Sequence, residues 1–143
     1  MSIAKIIAGR DFEIVTCKAA TTVSEAVELL TERRIGAMPV TDEEGRVIGV
    51  FSERDVIRCL KVHGGKALDL DMEQVMTSPA VTVTSDTSEN QALALMTRRR
   101  IRHLPVVDNG RMVDFVSIGD LVKSRIDSIE SEAQAMREYI HSV

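Results

Sequence analysis

The sequence predicts an α/β fold: two β-α-β-β-α repeats packed pseudo-symmetrically, with a long C-terminal helix after them. Three observations predict it. Ile35-Gly36-Ala37-Met38-Pro39-Val40, followed by Val47-Ile48-Gly49-Val50-Phe51-Ser52-Glu53-Arg54-Asp55, occurs a second time. The second copy is Ile101-Arg102-His103-Leu104-Pro105-Val106, followed by Met112-Val113-Asp114-Phe115-Val116-Ser117-Ile118-Gly119-Asp120. A shift of 66 residues lays Pro39 on Pro105; after one deletion, a shift of 65 lays Ser52 on Ser117 and Asp55 on Asp120. Repetition at this period marks two similar supersecondary units that can pack face to face. Within each copy, short β-prone runs alternate with helical runs that open on capping signals. Finally, Val122, Ile126, Ile129, Ala133, Met136 and Ile140 follow a heptad spacing.

Taken in order, residues 1–13 carry no strong pattern and are placed with the first repeat as a lead-in, giving a unit of 1–62. Glu13–Cys17 is a short β-prone run. Thr22-Val23-Ser24-Glu25 has the form of a capping box, in which the hydroxyl accepts an orphan N–H and the carboxylate reaches back. Ala26, Val27, Leu29 and Leu30 give the following helix its apolar side. Arg33 and Arg34 suit its C-terminal dipole, and Gly36 releases the chain into a strand at Ala37–Thr41. Asp42-Glu43-Glu44-Gly45 is a turn signal. Val47–Phe51 is a continuous apolar run, as for a strand buried on both faces. A second helix starts at Ser52 with Val56, Ile57 and Leu60.

Residues 63–79 read as a linker, with a loop at His63–Lys66 and a helical turn near Met72–Met76. The second unit spans 80–125. It repeats the same order: a strand at Ala80–Thr84 that includes Val81, a capping box at Ser88-Glu89-Asn90-Gln91, and a helix with Ala92, Leu93, Leu95 and Met96. Strands at Leu104–Val107 and Met112–Ser117 then flank a turn at Asp108-Asn109-Gly110. Residues 126–143 extend the last helix. Pro39 and Pro105 lack an N–H, which suits a strand end or edge.

Composition narrows the function classes. Hydrophobic residues make up 44% of the 143, enough for a buried core. The net charge of -4 and aromatic content of 3% disfavour nucleic acid as the main partner. No apolar run reaches the roughly 18 residues of a membrane span, and Arg10 and Asp11 interrupt the short apolar start, which makes a poor signal peptide. Cys17 and Cys59 match neither a CxxC pair nor a disulfide framework and read as buried thiols of a reducing, cytoplasmic setting. His63, His103 and His141 show no metal-ligand spacing with the cysteines. Gly65-Lys66-Ala67 is not a phosphate loop, because Leu60 and Ala67 occupy the positions of its first Gly and its Ser/Thr. No nucleophile, base and orienting group form a set, so no catalytic residue is assigned and an enzyme is not expected.

Ser52-x-x-Asp55 and Ser117-x-x-Asp120 each follow a strand and open a helix. Capping boxes explain the pattern alone. The same geometry also turns helix N–H groups and a partial positive charge towards a phosphate. One turn in, a carboxylate could accept both hydroxyls of a ribose. Arg98, Arg99, Arg100 and Arg102 form a basic cluster, most of it suited to a solvated helix end. Arg102, at the repeat position of Gly36, is the candidate to reach a phosphate. The regular seam over Val122–Ile140 fits pairing with a second chain better than coverage of its own core.

These paired segments, with Gly36-Ala37-Met38-Pro39-Val40, Val75-Met76-Thr77 and Arg102-His103-Leu104-Pro105-Val106, make the chain resemble a tandem CBS-domain pair, or Bateman module. It is similar in particular to small stand-alone bacterial CBS-pair proteins carrying "FSERD" in one half and "SIGDLV" in the other. The resemblance covers nearly all of residues 13–125. It implies a non-catalytic regulatory sensor that binds an adenine nucleotide in clefts between the halves. AMP and NAD(H) are the preferred ligands, with ATP and S-adenosylmethionine as alternatives. It also implies a homodimer and an unidentified regulated protein. The nucleotide-binding residues implied are Gly36, Ala37, Met38, Pro39, Ser52, Arg54, Asp55, Met76, Thr77 and Val81. From the second copy they are Arg102, His103, Leu104, Pro105, Ser117, Gly119 and Asp120. The serines would meet phosphate, the aspartates ribose, and the strand entries the base, with Met38 or Leu104 against its face. Asp114 stands where the first copy has Gly49, and would add bulk and negative charge to the second cleft. The rival readings are a ligand-free interaction module and, last, an enzyme acting on the bound nucleotide.

Overall fold

The computed structural model describes residues 1–142. Its elements are α1 (Ile3–Ile7), β1 (Cys17–Lys18), α2 (Val23–Arg33), β2 (Ala37–Thr41), β3 (Val47–Ser52) and α3 (Glu53–His63). A 3-10 turn (Gly64–Asp69) and α4 (Met72–Val75) follow, then α5 (Glu89–Arg99), β4 (His103–Asp108), β5 (Arg111–Ser117) and α6 (Ile118–His141).

The first sheet has the order β1-β2-β3, with β1 parallel and β3 antiparallel to β2. The second consists of the antiparallel pair β4-β5. The strand expected at Ala80–Thr84 is reduced to a single parallel bridge, Val83 with Val106. Val83 N–H donates to Pro105 O at 3.0 Å, and Val107 N–H to Val83 O at 2.8 Å. One exchange of two bonds holds the segment, which then turns away into α5. The β-prone run expected at Glu13–Cys17 is likewise reduced, to the two-residue β1 at its end, which pairs with Val40 and Thr41.

Pro39 lies within the central strand β2, opposite Val50, rather than at a strand end. It is tolerated there because β1 begins its pairing one residue later, so no neighbour asks for an N–H at that point. Pro105 likewise sits inside β4, opposite Phe115. β2 is buried at every residue, whereas β3 buries only Gly49 and Phe51 fully. The expectation of a β3 covered on both faces is corrected: its second face borders the open site described below.

Helix starts follow their caps. Ser88 and Gln91 form a full capping box, as do Ser52 with Asp55, Asp71 with Gln74 and Ser117 with Asp120. Thr22 makes half of one: it accepts the Glu25 N–H, but Glu25 binds its hydroxyl rather than its backbone. α2 and α5 both end on an arginine in the left-handed region, Arg34 (φ 54°) and Arg100 (φ 56°). The release expected of Gly36 is therefore performed two residues earlier, by a residue whose φ is positive at some steric cost.

Two cores form, one per repeat. The first gathers Val23, Ala26, Leu30, Met38, Val40, Phe51 and Cys59, with Ala67 and Met72 from the connecting segment. The second gathers Ala92, Met96, Leu104, Val106, Val116 and Leu121. It also takes Ile3, fully buried, from α1. Ile3 N–H donates to Thr87 O at 2.8 Å, so the lead-in docks on the second repeat although it precedes the first. Residues 63–79 are likewise more than a tether, since Ala67 and Met72 are fully buried. Cys17 and Cys59 are buried and unbridged, and burial pushes the Cys17 thiol up to about 11.

Candidate functional site

Gly49 positions the connecting segment. A side chain there would stand 2.9 Å from the Thr77 carbonyl oxygen, too close for any carbon. Its absence lets Thr77 exchange two backbone bonds with Val50, at 3.0 and 2.9 Å. Thr77 is thereby carried to Asp55, whose Oδ1 accepts its hydroxyl at 3.0 Å. The same Oδ1 accepts Arg58 at 2.9 Å, and Oδ2 accepts the Ser52 N–H at 2.9 Å. The Ser52 hydroxyl also lies 3.1 Å from Oδ2; Asp55 is 3% exposed, so a charge that would be costly alone is held by four donors.

A cavity of about 530 Å³ opens beside this carboxylate, between the two repeats. That volume lies within the usual range for small-molecule sites. One wall comes from Gly36, Ala37, Val50 and the start of α3; the other from Ala80, Val81 and residues 99–103. Five arginines border it, Arg54, Arg58, Arg99, Arg100 and Arg102, against two carboxylates, Glu53 and Asp55. Arg54 spans the two repeats by donating to Arg100 O at 3.0 Å, the last carbonyl of the α5 cap. Gly36 sits directly against the His103 ring, where a side chain would approach to 3.4 Å. His103 stacks on Phe115 with centroids 5.5 Å apart. Burial lowers its pKa below the ordinary value; Asp120 and Glu53 oppose this and Arg102 adds to it.

Of the residues singled out from the sequence, Gly36, Ala37, Ser52, Arg54, Asp55, Thr77, Val81, Arg102 and His103 border this one cavity. Met38 and Leu104 are instead fully buried in the two cores, and Pro39 is fully buried as well. Met38 and Leu104 are held in the cores, and Pro39, on the opposite face of β2 from Met38, is covered too, so none of the three is open to the cavity. Met76 packs on the first core and meets the space above Gly49. Pro105 contributes its carbonyl to Val83.

The helix N-terminus offers less to a phosphate than the pattern promised. Glu53 N–H already donates to Gly36 O at 3.0 Å, and Asp55 N–H to Ser52 Oγ at 3.4 Å. Of the first three N–H groups of α3, only that of Arg54 lacks such a bond. Ile118 N–H donates to Arg102 O and Asp120 N–H to Ser117 Oγ in the same way. The capping role of both Ser-x-x-Asp motifs is realised, and the cations of the first site are guanidinium groups. Arg58, Arg99 and Arg100 were missed as site residues. Arg58 was legible as the position one turn after Asp55 on α3; the other two required knowledge of how α5 ends.

Ser117, Gly119 and Asp120 lie apart from this cavity, at the repeat-equivalent place on β5 and α6. Here Arg10 fills the position that Thr77 takes in the first half. Its guanidinium lies 3.3 Å from Asp120 Oδ2 and 3.5 Å from Asp114 Oδ1, and 4.4 Å over the Phe12 ring. Asp114 is thus the counter-ion of Arg10 inside the protein. Gly119 does not need to be glycine, as a side chain there would make only an ordinary contact with Ser117.

Two similar α/β repeats with an arginine-lined cavity at their junction define a paired-repeat module. The CBS-domain family model matches residues 10–62 and 72–127, and the chain belongs to that family. Among its relatives, the CBS domain-containing protein CBSX3, mitochondrial, of Arabidopsis thaliana is 34% identical over 128 residues. That match covers 87% of this chain but 62% of the relative, so the chain spans less than two thirds of that protein. The crystal structure of the CBS-domain protein ATU1752 of Agrobacterium tumefaciens superposes with a TM-score of 0.82 at 33% identity, covering 87% of this chain and 92% of that one. The structure of CBSX2 in complex with AMP gives a TM-score of 0.76 at 25% identity, covering 88% and 96%. Among the described residues, no helix is long and apolar enough to cross a membrane.

Proposed function

We propose that this protein is a non-catalytic regulatory module that binds an adenine nucleotide, AMP or NAD(H), in the cavity beside Asp55. The observation that carries the reading is five arginines and one buried, hydrogen-bonded aspartate bordering a single cavity between the repeats. Guanidinium groups suit phosphate, both in charge and in the geometry of their donors. Asp55 suits ribose hydroxyls, which would take over from Thr77 and Arg58 on Oδ1. The AMP complex of a protein with the same fold supports the ligand class. Ligand held between two repeats favours one relative arrangement of them, which is how such a module would signal to a regulated protein.

Calorimetric titration with AMP tests this. Asp55→Ala is expected to weaken binding about 10- to 150-fold, from about 1.5–3 kcal/mol for a bond to a charged group. The melting temperature of the variant separates this from loss of the α3 cap. Equal affinity of the wild-type protein for AMP and 2′,3′-dideoxy-AMP would remove the ribose role.

The two clefts are unequal on this reading. Asp120 already binds Arg10, so a ligand there must displace an internal cation. Arg10→Ala is expected to raise affinity in the second cleft at least about tenfold, roughly 1.4 kcal/mol. It is measured as a second binding event in the same titration. No change in the titration would free Arg10 of that role, and with it the account of Asp114.

A further inference from the structure

On the nucleotide reading above, on which this rests, we propose that His103 is a proton-linked phosphate contact of the cavity. The nucleotide binds there together with one proton, which the imidazole takes up. His103 opens β4 and is half-buried at the border of the cavity. One face of its ring stacks on Phe115, with the ring planes 14° from parallel. Its Cε1 edge lies 3.4 Å from the place that a side chain on Gly36 would take, and the Glu53 carboxyl group borders the same space. The ring is thus fixed from two sides, between the repeats and beside the arginines. Among the described residues, no side-chain hydrogen bond involves either of its nitrogens. Both are left to a ligand, and an imidazolium would have two donors to offer it.

His103 is the one imidazole among the described residues bordering the cavity, and imidazole is the side chain that ordinarily titrates near neutral pH. Two carboxylates act on it: Glu53 from α3 and Asp120 from α6, the latter already held by Arg10 at 3.3 Å. Against them stands Arg102, its neighbour in the chain. Arg54 and Arg58 from α3, and Arg99 and Arg100 from the end of α5, border the same space. β5 presents the uncharged Phe115, and its Asp114 is held by Arg10. Burial outweighs the two carboxylates, so the ring is neutral at pH 7 and its pKa lies below the ordinary imidazole value. A phosphate monoester drawn in by the arginines brings about −1.5 to −2 charges near pH 7. It brings no cation with it, so it favours the imidazolium, which donates to a phosphate oxygen. The proton comes from solvent on binding and returns to it on release. By linkage, affinity rises as pH falls through the pKa of the bound state and levels off below that of the free state. Above both, pH has no effect through His103.

The test is calorimetric titration of the full chain with AMP from about pH 8 to about pH 5. Buffers of different ionisation enthalpy count the protons taken up. The phosphate of AMP itself titrates near about pH 6, so the reading is the difference between wild type and His103→Gln. Wild type is expected to take up more protons than the variant. Towards acid its affinity should gain several-fold over the variant's, at most about tenfold per pH unit for one proton. His103→Phe keeps the stack on Phe115 and removes the titration, so it should follow His103→Gln; melting temperatures check that both variants fold. A merely structural role would change affinity alike at every pH. The same pH dependence in wild type and both variants overturns the proposal. The Cε1–H NMR signal of His103, assigned by its absence in His103→Gln, reads the ring directly. Its titration midpoint is expected to rise with saturating AMP, while those of His63 and His141, both exposed and outside the cavity, stay. A midpoint that does not rise while calorimetry shows AMP bound overturns the proposal and leaves the nucleotide reading standing. No binding of AMP at any pH overturns that reading, and this proposal with it.

Discussion

Arg54→Ala combined with Arg102→Ala is expected to weaken AMP binding by roughly 100-fold or more. Each bond from a guanidinium to phosphate is worth about 1.5–3 kcal/mol, and two together about 3–6 kcal/mol if they add. The lower end applies here, because both side chains are solvent-exposed and screened. Neither residue belongs to a core. Arg54 donates only to the exposed cap of α5, so the melting temperature should move little. The two residues approach the cavity from different repeats, one from α3 and one from the entry to β4. The double variant therefore tests whether the ligand bridges the halves. A loss below about threefold would place the phosphates away from this junction. Raising the salt concentration should weaken the wild-type protein more than the variant.

Phe51→Ala is expected to destabilise the protein by about 3–5 kcal/mol, the usual range for removing a buried aromatic ring. Phe51 is fully buried on β3 and pairs with Met38 of the central strand β2. Its loss would leave a void in the core that β2 and α2 share with it. The repeat-equivalent residue is Val116, also fully buried. Val116→Ala removes fewer atoms and should cost clearly less. Urea unfolding followed by circular dichroism measures both. A cost for Phe51→Ala under about 1 kcal/mol would mean that the first core collapses around the gap. Together the two variants ask whether the halves, alike in sequence order, also share the load of stability.

Several features were legible without coordinates because they are local. Capping boxes at Ser52, Ser88 and Ser117 join residues three apart and depend on short-range hydrogen bonds. β2 has the expected bounds, since a run of apolar residues between a helix end and an acidic turn leaves few alternatives. The heptad seam survives as an exposed stripe, because helical periodicity needs no partner to be read. The site was half legible. Gly36, Ser52, Asp55, Thr77, Arg102 and His103 were named from their repeat positions and do converge. Met38 and Leu104, from the same segments, lie in the cores instead, and Pro39 is covered as well. Neighbours along a strand alternate between faces, and which face meets the cavity depends on where the other repeat is packed.

What the sequence determined by itself is therefore the repeat, its order of strands and helices, its caps, and the heptad seam along the last helix. These follow from steric and hydrogen-bonding preferences over a few residues and from periodicity. What only the tertiary structure decided is which distant groups meet. Arg10 reaches Asp120 across 110 positions, and Arg54 reaches Arg100 across 46. Ile3 leaves its own end of the chain for the second core. The strand expected at residues 80–84 keeps a single bridge. Each of these depends on the packing of two halves against each other. That packing is set by summed burial and by the few polar groups it must satisfy, and neither quantity is visible in any short stretch of sequence.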